Sequence, residues 1–525
     1  MKKVILVLID SLRPQAVQKA LKDGYLPALS WLIERGWVSW ECASIYPTMT
    51  PAASSSIITG LMPSEHQVAG FAWFDRREDR YVNYGGNVDA VLRLGPSQVL
   101  NDLFYHLNHT HLTREVPTLF EVLEGAGITC GNINFFMYRG VKEWKLRVPF
   151  WANLLTAGKI KRQLKGPTWN FLGNLLPLPA DFRVPPGMEA PAGPLTKYGI
   201  NDEFGGTVAH WLIKSGKQPD FLFLYLPDTD GYCHRHHPDN IVPSLVRADR
   251  QVAKILDAYS CWEEALAENL FIVMGDHSQS WVRDDGTGII SLEKLFPGFS
   301  IARYRHCRGS GFDLALCSNE RSAHLYLLKP DPVLRKEVIA RAAAEARIDQ
   351  ITWLEEGEDG RRYYWVKRGG EEGELCFRRG GPLKDVYGYR WEVEGDLSLV
   401  DARVEGDTLY YGAYPNPLDN IASYLDNNKA GDVQLAARPT YEFSDEGMPV
   451  HPGRGSHGSF HRDDALVPLI IAGVEEEKIP QFLREHPLII DVAPFILQHF
   501  QVECAPCNWG REVRWQRGES CQARF

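Results

Sequence analysis

The stretch 221–238 reads FLFLYLPDTDGYCHRHHP. Its six apolar residues, Phe221 to Leu226, are closed by Pro227 and predict a buried strand. Two carboxylates, Asp228 and Asp230, and three histidines, His234, His236 and His237, follow the strand's end. In an open α/β sheet, ligands gather outside the carboxyl ends of the strands. A carboxylate followed four residues later by an imidazole suits a divalent cation that takes oxygen and nitrogen ligands. Alone, this loop reads equally well as solvated histidines.

Two further apolar runs end the same way. Val4–Ile9 is followed by Asp10, and Leu270–Met274 by Gly275-Asp276-His277. A buried strand end has no need of a carboxylate, because an unpaired buried charge is costly. Three convergent ones repel each other unless a cation compensates. Between these runs, 117–126 reads as a helix and 128–135 as a strand, and helices are expected over 201–215 and 243–269. This βαβ rhythm predicts an α/β fold with a mostly parallel central sheet flanked by helices.

Thr50 precedes Pro51, a residue that favours the first helical position. From Pro51 the helix is expected to continue over 52–59, with Gly60 as its stop. Thr50 therefore reads as a helix N-cap or, more sharply, as a nucleophile where a helix start favours an anion. Late in the chain, Gly455-Ser456-His457-Gly458 precedes the strand Val467–Ala472. A histidine flanked by glycines suits close backbone approach to a site.

The core is expected over 1–320 and 440–525. It carries an aromatic, basic and proline-rich insertion at 137–196, readable as a lid, an interfacial helix or a packed excursion. The span 321–439, charged and turn-rich, reads as a small inserted α+β cap without catalytic residues.

Hydrophobic residues make up 44% and charged residues 24% of the 525 residues, which are globular values. The net charge of -10 and the lack of a basic block argue against a nucleic acid polymer as partner. The opening apolar run is too short for a signal peptide, and no run suffices for a membrane span, so a cytoplasmic address is expected. Cys504 and Cys507 form a single CxxC, a weak zinc or redox signal that reads first as ordinary thiols.

Together these motifs resemble the type I phosphodiesterase/nucleotide pyrophosphatase branch of the alkaline phosphatase superfamily. Its first aspartate is matched by Asp10 and its P-T-x-T segment by Pro47-Thr48-Met49-Thr50. Thr59-Gly60-Leu61-Met62-Pro63 matches its T-G-L-x-P. Asp230, His234 and Pro238 match its D-x-x-x-H-x-x-x-P. Asp276-His277 and Gly455-Ser456-His457-Gly458 match its two later segments. The resemblance implies an alkaline-phosphatase-like core and two divalent metal ions, zinc with manganese as the alternative. Asp230, His234 and His457 would hold one ion; Asp10, Asp276, His277 and the Thr50 oxygen the other. It implies hydrolysis of phosphodiesters or nucleotide pyrophosphates, small-molecule phosphate esters, through a phospho-threonine on Thr50. Phosphonate or phosphomonoester hydrolysis, phosphotransfer, and an inactive metal-binding scaffold are the alternatives. In one departure, the asparagine that relatives carry downstream of the nucleophile is not found just after Thr50, where Ala52 and Ala53 precede Ser54 to Ser56. The sequence leaves the oligomeric state open.

Overall fold

A computed structural model describes residues 1–307, 311–329 and 331–503. Cys504 and Cys507 lie outside the described residues.

Seven strands form the central sheet: β1 (Lys3–Ile9), β2 (Gly36–Ala43), β3 (Cys130–Ile133), β4 (Trp169–Phe171), β5 (Phe221–Leu226), β6 (Asn269–Met274) and β7 (Leu466–Ala472). Their order is β2-β7-β6-β1-β5-β3-β4. The sheet is mixed. β1 pairs in parallel with β5 and β6, and β3 with β4 and β5. β7 runs antiparallel to β6 and β2. The reversal has a local cause. β7 leaves the His457 loop through the short helix Arg462–Ala465, so it starts at the site end with no crossover to turn it round.

Side chains alternate along β1. Val4, Leu6 and Leu8 enter one core with helix α1 (Thr50–Thr59) and the helix Leu119–Gly125. Ile5, Val7 and Ile9 enter the other with the helices Asp202–Lys214 and Val242–Leu256. Both faces are covered, which is why these strands are continuous apolar runs rather than alternating ones. Each fully buried aliphatic side chain contributes roughly 1.5–3 kcal/mol.

Register places the site. Ile9 pairs with Leu226 and Leu8 with Met274. The ends of β1, β5 and β6 are therefore level, and the residues after them share one edge.

The span 137–196 holds a hairpin, Lys142–Lys145 with Gln163–Gly166, and the helix Phe150–Leu155. It also supplies β4 to the central sheet, which its sequence did not suggest. A second, nine-stranded sheet runs from Leu314–Asn319 to Val433–Ala437. Its first hairpin, Leu314–Asn319 with Ser322–Leu327, turns at Glu320 and Arg321. That turn is tied to the central sheet. The Arg321 guanidinium lies 2.6 Å from Asp464 Oδ1, both fully buried, and the Arg321 N–H donates to His457 O at 2.8 Å. Among the described residues no helix is long and apolar enough to cross a membrane.

Candidate metal centre

Asp10 directly follows β1 and Asp276 lies two residues past β6. Asp230 sits in the short helix Asp228–Cys233, which His234 caps. Four residues of separation put both side chains on one helix face, with His234 Nε2 3.2 Å from Asp230 Oδ1.

Helix α1 begins at Thr50 and stops at Gly60, whose φ of 64° is left-handed. The cap position belongs to Met49, in extended backbone, and no side chain caps this helix. The N-cap reading of Thr50 is therefore corrected. Pro51 at the second helical position moves the cap one residue earlier. Ala52 and Ala53 N–H both donate to Met49 O, at 2.9 and 3.0 Å. The helix start thus turns its dipole, rather than these two donors, toward the site. Thr50 Oγ1 instead lies 3.1 Å from His277 Nε2.

His457 depends on its glycines. A Cβ on Gly455 would meet Gln279 Oε1 at 2.3 Å, and one on Gly458 would meet Asn319 O at 2.3 Å. Gly458 also has a φ of +119°, open essentially to glycine alone.

Three groups of cation-ligating side chains result. The first joins Asp10, Asp276 and His277. His277 Nε2 lies 3.5 Å from Asp10 Oδ1 and 3.6 Å from Asp276 Oδ2. Ligand atoms around one tetrahedral zinc lie about 3.3 Å apart, given bonds of about 2.0 Å. Asp10 Oδ1 and Asp276 Oδ2 are both buried and make no hydrogen bond. Buried acceptors are normally satisfied. Two orphaned carboxylate oxygens beside an imidazole nitrogen and a hydroxyl suit a cation.

The second group joins Asp230, His277 and His457. His457 Nε2 lies 3.7 Å from Asp230 Oδ1, and the rings of His277 and His457 stack at 3.9 Å. The third joins His234, Glu320 and His451. The structure thus brings all seven expected residues to one sheet edge; Asp10, Asp276 and His277 fall in one group, while Asp230 and His457 group with His277, and His234 with Glu320 and His451. Asp230 touches both His234 and His457, whose ring centroids stand 5.3 Å apart.

The charge pattern is one-sided. The ion-pair partners of Asp10, Asp230, Asp276 and Glu320 among the described residues are all histidines. Burial, then Asp276 and Asp230, push the Asp10 carboxyl well up. Burial and Asp230 push Asp276 up to about 7. Burial and His457 bring His277 down to about 3, so its imidazole is neutral, as a ligand must be. Burial opposes charge on His234, but Asp230 and Glu320 outweigh it and raise the imidazole to about 10. The shifts of Asp10, Asp276 and His234 report a concentration of negative charge that a cation would relieve.

Of the two aspartates after β5, only Asp230 faces the candidate ligand groups. Asp228 faces away: its carboxylate accepts from the Asp202 N–H and its own N–H donates to the Asp202 carboxylate, each at 3.0 Å. His236 stacks on Tyr232 at 3.9 Å and His237 bonds the Asp239 N–H. Neither histidine is in the site.

Several residues at the site carried no sequence signal. Ser11 Oγ donates to Asp230 Oδ1 at 2.8 Å, and Gln279 Nε2 donates to the same oxygen at 2.7 Å. The Tyr225 hydroxyl donates to Asp10 Oδ2. Ser11 and Gln279 flank motif residues and adjacency could have flagged them. Tyr225 is the one polar tip in an apolar strand. Glu320 and His451 sit in no motif.

A family model described as Type I phosphodiesterase / nucleotide pyrophosphatase matches residues 4–460. A comparison with curated proteins found no match.

Proposed function

The chain belongs to the type I phosphodiesterase/nucleotide pyrophosphatase family, whose members are metal-dependent hydrolases, and on that premise we propose that it cleaves small phosphodiesters or nucleotide pyrophosphates with Thr50 as nucleophile. The observation that carries this reading is Thr50 Oγ1 beside the Asp10–Asp276–His277 group, 3.1 Å from His277 Nε2.

Two divalent ions, zinc by the donor types, fit the residues present. Asp10, Asp276, His277 and Thr50 would hold one; Asp230, His457 and His234 would hold the other. When bound, such ions supply charge that stabilises an alkoxide and the oxygens of an in-line displacement. The remaining chemistry belongs to the chain. His277 Nδ1 faces Ser278 O at 3.1 Å, an acceptor only, so Nδ1 carries the proton and Nε2 presents its lone pair toward Thr50. Thr50 Oγ attacks phosphorus, the bond from phosphorus to the ester oxygen breaks, and that oxygen leaves with a proton as the alcohol or phosphate product. Water then cleaves the phospho-threonine and restores the hydroxyl. The positive end of helix α1 lies at the reacting group and favours its negative charge.

The test is phosphate transfer to Thr50. Brief reaction of the metal-loaded protein with an aryl phosphodiester, quenched in acid, should leave a phosphorylated peptide containing Thr50. Turnover with no such adduct, and undiminished turnover by Thr50→Ala, would exclude the threonine route.

A further inference from the structure

Glu320 stands at the turn of the first hairpin of the second sheet with φ 57°, an uncommon conformation for a side-chain-bearing residue. Its carboxylate is buried, and one oxygen is already employed. Oε2 accepts from Ser456 Oγ at 3.0 Å and from the His457 N–H at 3.1 Å. That leaves Oε1 aimed between two imidazoles, 3.6 Å from His234 Nε2 and 3.7 Å from His457 Nε2.

The histidines around it are oriented alike. His234 Nδ1 faces Gly455 O at 3.1 Å and His457 Nδ1 faces Thr48 O at 2.6 Å. His451 Nδ1 faces Glu442 Oε2 at 3.1 Å, and the His451 N–H donates to the other oxygen of that carboxylate. All these partners are acceptors only, so each Nδ1 carries a proton and Nε2 is the nitrogen left to ligate a cation. A ligating histidine typically donates its other ring nitrogen to a carboxylate or carbonyl, which fixes tautomer and ring plane. Glu442, fully buried, stands in that relation to His451. The rings of His234 and His451 lie 4.3 Å apart, and ligand atoms of His234, Glu320 and His451 all lie within 4.8 Å of one another.

We propose that His234, Glu320 and His451 bind a divalent transition-metal ion, in a site of two imidazoles and one carboxylate adjoining the hydrolytic centre. The site goes beyond the two-ion reading, because Glu320 and His451 belong to neither expected ligand set. It compensates two buried carboxylates, Glu320 and Glu442, whose ion-pair partners are otherwise histidines. His234 Nε2, beside Asp230 Oδ1, has one lone pair, so His234 here serves this ion in place of the neighbouring one, which keeps Asp230 and His457.

The experiment is a zinc titration of the metal-stripped full chain against a chromophoric chelator, for the wild type, Glu320→Gln, His451→Ala and the control His237→Ala. Glu320→Gln and His451→Ala should each lose one zinc equivalent or bind it at least about tenfold more weakly. His237→Ala should match the wild type. Cobalt loaded in place of zinc should lose intensity in its visible ligand-field bands in the same two variants. Circular dichroism melts check folding, and if His451→Ala does not fold, His451→Cys supplies a ligand of different kind and should retain the equivalent. Every zinc equivalent held within tenfold of wild type in Glu320→Gln and in His451→Ala, or in Glu320→Gln alone where His451→Ala does not fold, would overturn the site. Failure of the hydrolytic reading would appear elsewhere, in diester turnover, with the zinc titration unaffected.

Discussion

Thr50 spends its hydroxyl on His277 rather than on its own helix, and its replacement therefore separates chemistry from architecture. Thr50→Ala should lower diester turnover by at least about 10³-fold, the scale of losing a nucleophile. Its melting temperature and zinc content should stay close to wild type. Residual activity above a few per cent, measured under the same metal loading, would return Thr50 to a merely structural role. Tyr225 acts one layer out. Its hydroxyl donates to Asp10 Oδ2 and holds that carboxylate's second oxygen toward the site. Tyr225→Phe should weaken zinc binding about 10- to 100-fold, read by chelator competition. An unchanged affinity would mean that Asp10 is oriented by its backbone alone.

At the scale of elements, the strand ends were legible because β1, β5 and β6 are buried on both faces and read as unbroken apolar runs. Asp10, Asp230 and Asp276 then stood out as charges where none is needed. α1 was legible from Pro51 and Gly60, with its start displaced by one residue. What could not be read was contact between distant loops. Glu320 reaches His457 through a hairpin turn whose sequence, Asn319-Glu320-Arg321-Ser322, looks like any polar turn. β4 hid inside a stretch broken by proline and tryptophan, and the direction of β7 depends on which end of the sheet the chain enters. The Arg321–Asp464 pair shows how such contacts matter. Asp464 also accepts from Ser280 and Ser459 hydroxyls, at 2.8 and 2.7 Å. Arg321→Met leaves that carboxylate buried without its cation and should cost about 3–5 kcal/mol, measured by urea denaturation. A cost below about 1 kcal/mol would show that this ion pair adds little to the tie between the two sheets.

For the whole molecule, stability and catalysis should respond to pH through different groups. His66 is fully buried, its Nδ1 accepting from Val68 N–H and its Nε2 bonded to Ser56 Oγ. Burial, then Lys429, lower it to about 3. Between the ordinary histidine value of about 6.5 and about 3, the unfolded chain binds a proton that the folded chain refuses. The contribution of His66 therefore falls as pH falls, by about 1.4 kcal/mol per unit. Asp102 and Asp249, which burial pushes up to about 6, act in the opposite sense. The sign is thus read from a difference. The destabilisation caused by His66→Gln should shrink steadily from pH 6 to pH 4, and a gap independent of pH would contradict it. The claim on which the whole account rests is metal-dependent cleavage of phosphodiesters at this sheet edge. The direct measurement is the rate of zinc- or manganese-reconstituted protein on a bis-aryl phosphate and on an aryl phosphate monoester, each repeated after chelation. The account predicts faster diester cleavage, lost on chelation and restored by the metal. Cleavage that survives complete metal removal, or no diester cleavage by fully metal-loaded protein, would contradict it.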